Sequence, residues 1–133
     1  MPVDQSMSTR QRLEPGPDHP ITVSPSDTRV LVTRGGTTIA DTGEAQVLRE
    51  AGYPEVMYVP RKDVRMELLE PTDHTTYCPY KGEASYFSIV GAGDDATDAV
   101  WTYEMPYAAV APIREHLAFY PDQVDIDVTT KRG

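Results

Sequence analysis

The sequence predicts a single, mostly β domain whose sheet is mainly antiparallel. At 133 residues, with 39% hydrophobic and 25% charged residues, the chain has the size and composition of one ordinary globular domain. About seven short segments rich in β-branched and aromatic residues alternate with turn residues. No strand pattern is followed by a long amphipathic helix, so the parallel strands of βαβ units are not expected.

The elements can be assigned in chain order. Residues 1–20 contain almost no large apolar side chain and are expected to form a disordered or loosely draped arm before a single domain over 21–133. Residues 29–34 and 37–41 are β-rich runs joined by Gly35-Gly36, which predicts a hairpin. The remaining predicted strands cover 56–59, 75–78, 84–90, 98–104 and 124–128, and short helices are predicted within 43–51, 63–70 and 110–117.

The charge of the chain argues against two classes of partner. A formal net charge of -9 and a pI near 4.6 repel phosphate backbones and anionic lipids, so neither a nucleic acid nor a membrane is the expected partner. The sequence contains neither an apolar run long enough to span a bilayer nor a signal-peptide pattern, so we expect a cytoplasmic protein. The oligomeric state is left open.

Metal and cofactor binding are not expected. Structural zinc takes four closely spaced Cys or His ligands, whereas this chain has Cys78 and three histidines far apart in sequence. Asp125-Ile126-Asp127 is an acidic pair that could hold magnesium. The alternative is that these carboxylates are the solvated charges of an edge strand.

The aromatic residues predict a small-molecule site. Alternation along the strands places Tyr86 on one face of its strand and Trp101 with Tyr103 on one face of the next. If these faces coincide, Tyr58 can join them in an aromatic cleft that suits a flat or cationic small molecule. The alternative is that the four rings are core residues.

Charged residues are predicted at the edge of this cleft. Lys81, beside a glycine turn, is a candidate for binding a carboxylate or phosphate, and Glu104 follows Tyr103 directly. Arg61 and Asp63 come after the rigid strand exit at Pro60 and are candidates for the cleft mouth. For Asp63 the alternative is a cap on the next helical turn.

Cys78 has two possible roles. The turn at Pro79 to Gly82 could bring Lys81 against the thiol and activate it as a nucleophile. No base is evident: His74 lies nearby in sequence but depends on how far the strand reaches, and His116 could approach only through the fold. A lone cysteine between tyrosine and proline is also typical of a buried apolar filler.

Several segments together resemble a known family of bacterial domains. The quoted segments are 32–42, 56–64, Cys78-Pro79-Tyr80-Lys81-Gly82 with Tyr86, Trp101-Thr102-Tyr103 with Pro106, and Leu117-Ala118-Phe119-Tyr120 followed by Val124. Over roughly residues 23–128 the chain resembles the domain of unknown function numbered 427, which has been labelled nucleotidyltransferase-like. The resemblance implies a β-tent (Mss4-like) fold of two antiparallel sheets meeting at an angle, with a ligand cleft between them. Relatives with this fold commonly hold zinc through two Cys-x-x-Cys pairs, and this sequence has neither, so we expect packing to replace the metal.

The sequence therefore predicts an uncharacterised cytoplasmic domain that binds a small molecule in an aromatic cleft. The predicted ligand-binding residues are Tyr58, Arg61, Asp63, Lys81, Tyr86, Trp101, Tyr103 and Glu104, with Cys78 as the candidate catalytic residue. The alternatives are an enzyme, either nucleotidyltransferase-like or dependent on Cys78 or on a metal held by acidic residues, and an interaction or scaffold protein.

Overall fold

The computed structural model describes residues 11–130, and in this range it contains ten strands and three short 3-10 helices. The strands are β1 (Ile21–Pro25), β2 (Thr28–Arg34), β3 (Thr37–Thr42), β4 (Gln46–Glu50), β5 (Val56–Pro60), β6 (Leu69–Cys78), β7 (Gly82–Ile89), β8 (Ala96–Thr102), β9 (His116–Phe119) and β10 (Asp125–Thr130). The 3-10 helices cover Arg61–Asp63, Met66–Leu68 and Ala108–Ile113.

The strands form two antiparallel sheets, and the prediction of a mostly β, antiparallel fold is confirmed. The larger sheet has the order β1-β4-β5-β9-β8-β7-β6, and the smaller has the order β10-β2-β3. All of the pairings between these strands are antiparallel, and neither sheet of residues 11–130 closes into a barrel. The predicted hairpin is the β2–β3 pair, with Gly35 at φ 56° and Gly36 at φ 85° in its turn. These left-handed conformations explain why two glycines occupy the turn.

Two of the predicted helices are wrong in whole or in part. The segment 43–51 holds strand β4, which pairs with β1 on one side and β5 on the other. Its Val47 and Leu48 are buried, so a central place in the sheet overrides the weak local helix pattern. The segment 110–117 contains only the end of a 3-10 helix and then enters β9, which is buried between β5 and β8. Of the short helix predicted within 63–70, the structure contains the 3-10 helix at Met66–Leu68, and β6 begins directly after it.

The larger sheet is covered on both faces, as the mixed apolar pattern of its strands predicts. On one face, residues such as Val59, Phe87 and Val100 pack in a core with Val30, Val32 and Ile39 of the smaller sheet. On the other face, the core contains Tyr58, Tyr86 and Tyr103 with Val110 and Ile113 of the last 3-10 helix, and Trp101 packs against it. The rings of Tyr58, Tyr86, Trp101 and Tyr103 therefore lie on the face that the smaller sheet does not cover.

The described part of the predicted arm, residues 11–20, lies against the β6–β7 hairpin. The amide N–H of Leu13 donates to the carbonyl oxygen of Pro79 at 2.9 Å, and the hydroxyl of Tyr77 donates to the carbonyl oxygen of Gln11 at 2.7 Å. The expectation for residues 1–10 lies outside the described residues. None of the helices of residues 11–130 is both long enough and apolar enough to cross a membrane.

Candidate ligand-binding site

Five of the predicted site residues line one pocket of about 230 Å³. They are Tyr58, Lys81, Tyr86, Trp101 and Tyr103, and we call this cavity the tyrosine pocket. Its remaining wall consists of Leu48, Glu50, Tyr53, Pro54, Val56 and Tyr120.

Strand register brings the rings together. Tyr86 on β7 is the antiparallel partner of Trp101 on β8, so the two side chains leave the same face of the sheet. Trp101 is paired in turn with Ala118 of β9, and β5 with Tyr58 lies beyond β9. Tyr103 follows β8 directly and has the same parity as Trp101. These aromatic side chains therefore share one face of the larger sheet, as the strand alternation in the sequence predicts.

Tyr58 and Trp101 are joined by a hydrogen bond at the back of the pocket. The indole Nε1–H donates to the Tyr58 hydroxyl oxygen at 3.1 Å, and the two rings meet edge to face at 89°. Tyr58 is 1% exposed, and this burial raises its pKa well above the usual value. The Tyr58 hydroxyl is therefore neutral and retains its own proton for donation.

The Tyr103 hydroxyl differs from its neighbours because it has no hydrogen-bond partner among residues 11–130. The residue is only 5% exposed. Burial raises the pKa of Tyr103, and the nearby Tyr58, Cys78, Tyr86 and Glu50 raise it further. These neighbours place the hydroxyl at the pocket, where it is neutral and able both to donate and to accept.

Tyr86 and Tyr120 form another side of the pocket. The hydroxyls of Tyr86 and Thr76 lie 2.9 Å apart and share a hydrogen bond. Burial, followed by the hydrogen bond and charge of Tyr86, raises the pKa of Tyr120 to about 12. The Tyr120 ring also packs on Trp101 with a centroid distance of 4.6 Å. The Tyr86 hydroxyl is thus already occupied by protein partners.

A cluster of three charged or ionisable side chains, which we call the Glu50 cluster, closes the polar end of the pocket. Lys81 Nζ donates to Glu50 Oε1 at 2.5 Å, and His19 Nε2 lies 2.7 Å from Glu50 Oε2. The Lys81 and Glu50 side chains are only 12% and 13% exposed. Burial alone would raise the pKa of Glu50, but the hydrogen bonds and charges of Lys81 and His19 outweigh it, and the pKa is lowered. Glu50 is therefore an ionised carboxylate with both oxygens engaged.

The β6–β7 hairpin positions Lys81. The amide N–H of Lys81 donates to the carbonyl oxygen of Cys78 at 3.2 Å. The carbonyl oxygen of Lys81 accepts a hydrogen bond from the amide N–H of Tyr107 at 3.0 Å. Gly82 follows at φ 112°, a conformation that favours glycine. The backbone of the turn thus holds Lys81 from both sides.

Sequence reasoning did not identify Glu50, His19, Tyr53 or Tyr120. Glu50 was assigned to a helix and His19 to the arm, yet His19 stacks on Tyr80 at a centroid distance of 4.1 Å with nearly parallel planes. If residues 46–50 are instead predicted as a strand, Glu50 belongs to the strand that pairs with the strand of Tyr58. No sequence signal indicated His19, because its two contacts arise only in the folded chain.

Arg61, Asp63 and Glu104 lie outside the tyrosine pocket. Arg61 Nη2 is 3.5 Å from Glu104 Oε2, and the guanidinium sits 5.7 Å from the ring centroid of Phe87, which belongs to the opposite core. Asp63 Oδ2 accepts a 2.7 Å hydrogen bond from the Thr42 hydroxyl. The suggested Asp63 cap is wrong, since the 3-10 helix at Met66–Leu68 has no side-chain cap within the described residues.

Cys78 is a free, half-buried cysteine at the end of β6. The cation expected to activate it, Lys81, is bound to the carboxylate of Glu50. His74, the nearest histidine in sequence, contacts the ring of Tyr86 at a centroid distance of 4.5 Å. Lys81 and His74 therefore contact Glu50 and Tyr86, and neither contact involves the Cys78 thiol.

Carboxylates and histidines are dispersed over the described chain. Within residues 11–130, no three His, Cys, Asp or Glu side chains are grouped so that they could hold a metal ion. Asp125 and Asp127 are both exposed on β10, the edge strand of the smaller sheet.

Comparison with protein families gives a match that covers most of the chain. No curated protein matches this chain. A family model described as "Domain of unknown function (DUF427)" matches residues 22–130, which include both sheets almost completely and all residues of the tyrosine pocket. This chain therefore belongs to the DUF427 family.

Proposed function

We propose that this protein binds a flat, uncharged small molecule bearing carbonyl-type oxygens in the tyrosine pocket. The observation that carries the proposal is the Tyr103 hydroxyl, which belongs to a 5%-exposed residue of the pocket lining and has no partner among residues 11–130. A ligand that covers this hydroxyl has to hydrogen-bond it, because buried polar groups in native proteins are almost always hydrogen-bonded. A ligand oxygen in the pocket would supply the missing partner.

The shape of the site supports a flat ligand. The rings of Tyr58, Trp101 and Tyr120 enclose a space of about 230 Å³, which suits a one- or two-ring molecule. Aromatic walls of this kind stack on planar groups at favourable edge and offset geometries.

The charges support an uncharged ligand. Both Glu50 oxygens are engaged by Lys81 and His19, so no free carboxylate of the pocket awaits a cation. The Lys81 charge is matched by Glu50, and the net charge of -9 repels anions from the whole molecule.

The hydrogen-bonding groups support a ligand that accepts. Lys81 has three N–H donors, of which Glu50 takes one in the described structure, and Tyr58 keeps its hydroxyl proton. Tyr103 adds a further donor. A ring carrying carbonyl oxygens matches this set of donors.

The proposal extends to the fold and the cellular setting. Two antiparallel sheets and the family membership support a β-tent (Mss4-like) arrangement in a cytoplasmic bacterial protein, with the pocket as its ligand cleft. Nucleotidyl transfer is not included, because a nucleotide would bring phosphate charge to a pocket whose one lysine is already paired.

The test is a thermal-shift and calorimetric comparison of coumarin, benzyltrimethylammonium, benzoate and ATP with magnesium. We expect coumarin to raise the melting temperature and the other three to leave it unchanged. Tyr103→Phe should abolish coumarin binding while the fold persists. Tyr80→Phe removes a hydroxyl outside the pocket and should bind like the wild type.

Two results would contradict the proposal. One is a set of flat neutral compounds that produce no shift at saturating concentration. The other is equal coumarin affinity in the wild type and in Tyr103→Phe. Binding of benzyltrimethylammonium alone would instead assign the pocket to cations.

A further inference from the structure

A second and larger cavity of about 580 Å³ lies beside the tyrosine pocket. Its walls are mainly apolar and come from five strands and two connecting loops. They include Met57 on β5, Phe119 on β9, Pro121 in a loop, and Ile126 and Val128 on β10. We call this cavity the apolar groove.

The apolar groove and the tyrosine pocket share one wall. Both cavities are lined by Glu50, Tyr53, Pro54, Val56 and Trp101. Trp101, the single tryptophan of the chain, thus lines both spaces. A ligand that binds beside Trp101 in the tyrosine pocket therefore lies next to the groove.

The charges at the groove argue against an anionic tail. Its two acidic side chains are Glu50, which is engaged in the Glu50 cluster, and Glu55, which accepts from Arg49 Nε at 2.7 Å. No lysine, arginine or histidine of the described residues lines the groove. A fatty-acid carboxylate would find no counter-ion there, whereas an uncharged chain would bury apolar surface against Met57 and Phe119.

We infer that the ligand is amphipathic: a flat, carbonyl-bearing ring in the tyrosine pocket that carries an uncharged apolar chain in the apolar groove. This inference rests on the proposed function and specifies the ligand class further. The shared Trp101 wall and the apolar groove lining carry it.

The test compares two ligands that share a ring and differ in chain length, 7-methoxycoumarin and 7-hexyloxycoumarin, by isothermal titration calorimetry. The hexyl chain should tighten the dissociation constant tenfold or more, because each buried methylene adds favourable free energy. Val128→Asp places a charge in the groove at a half-exposed position and should remove this gain while leaving 7-methoxycoumarin binding unchanged. Thr129→Asp, on the same strand but outside the groove, is the matched control and should retain the gain.

The outcomes separate this inference from the proposed function. Equal affinity for the two coumarins would overturn the inference and leave the proposed function standing. Failure of both coumarins to bind would overturn both. 1-Hexanol serves as the tail alone: if it bound as tightly as 7-hexyloxycoumarin, and Tyr103→Phe changed neither, the groove would act without the pocket and the joint site would be refuted.

Discussion

The indole Nε1–H of Trp101, on β8, donates to the hydroxyl oxygen of Tyr58, on β5, at 3.1 Å. Strand β9 lies between these two strands in the larger sheet. Tyr58 is nearly fully buried, so the pair holds a polar contact inside an otherwise apolar face. Without this acceptor the Trp101 N–H has no protein partner among the described residues, and the net free energy of the hydrogen bond is lost.

Tyr58→Phe should therefore lower the free energy of unfolding by about 1 kcal/mol, because the half-buried Trp101 N–H would lose its acceptor. Urea unfolding followed by the fluorescence of Trp101 measures this. Tyr103→Phe, which breaks no hydrogen bond of the described residues, is the matched control and should change stability by about 0.5 kcal/mol or less. A larger loss in Tyr103→Phe than in Tyr58→Phe would contradict the assignment.

The lowered pKa of Glu50 predicts a pH dependence of stability. The folded pKa lies below the ordinary value of 4.5, so the Glu50 cluster contributes fully above that pH. The contribution is lost as the pH falls below 4.5 toward the folded pKa. Glu50→Gln should cost about 1–3 kcal/mol of unfolding free energy at pH 7, and the difference from the wild type should shrink in acid. A difference that stays constant from pH 7 to pH 3 would show that Glu50 is not ionised in the fold.

Gly82→Ala should distort the turn that holds Lys81. Its φ of 112° is unfavourable for alanine, and we expect a loss of about 1–3 kcal/mol in thermal or urea unfolding. The control is Gly52→Ala, where an added Cβ meets no described atom within 4 Å and φ is not positive. Equal stability of the two variants would mean that the turn relaxes freely.

His19→Ala should loosen residues 11–20 from the sheet. The substitution removes both the contact with Glu50 and the stacking on Tyr80, so limited proteolysis before residue 20 should become faster. His116→Ala is the control, because His116 contacts the carbonyl oxygen of Arg114 instead. Unchanged proteolysis in His19→Ala would show that other contacts hold this segment.

The Cys78 thiol should react slowly with a maleimide at neutral pH. Cys78 is half-buried at the end of β6, and Lys81 is engaged by Glu50 rather than by the thiol. The rate should be lower than that of a cysteine introduced by Thr130→Cys, at an exposed position of β10, in a Cys78→Ser background. Faster labelling of Cys78 than of this reference would favour the nucleophile alternative.

The sequence predicts most strands because their signals are local. Gly35-Gly36 indicates the β2–β3 hairpin through backbone conformation alone, and alternation along β7 and β8 assigns Tyr86 and Trp101 to one face before any contact is known. Strand β4 could not be predicted in this way. It lies between β5, which follows after residues 51–55, and β1, which is much earlier in the chain, and its own residues suit a helix as well.

The candidate site likewise contains some residues that local sequence signals predict and others that they do not. Four rings and Lys81 were predicted because strand parity and a turn dipeptide determine them. Glu50 was missed because its strand was missed. Arg61 is predicted at the cleft mouth because it follows the rigid strand exit at Pro60, but its guanidinium lies over Phe87, on the face that packs with the smaller sheet. Adjacent positions of a strand and its exit can lie on opposite faces, and sequence proximity does not reveal which.

Strand β10 pairs with β2, whose residues lie 92 to 102 positions earlier in the chain, and carries Ile126 and Val128 into the wall of the apolar groove. It is the last of the described strands in chain order. A chain cut before β10 would therefore keep every residue of the tyrosine pocket and lose one side of the neighbouring groove. Such a chain would expose apolar surface of Met57 and Phe119, which makes aggregation more favourable.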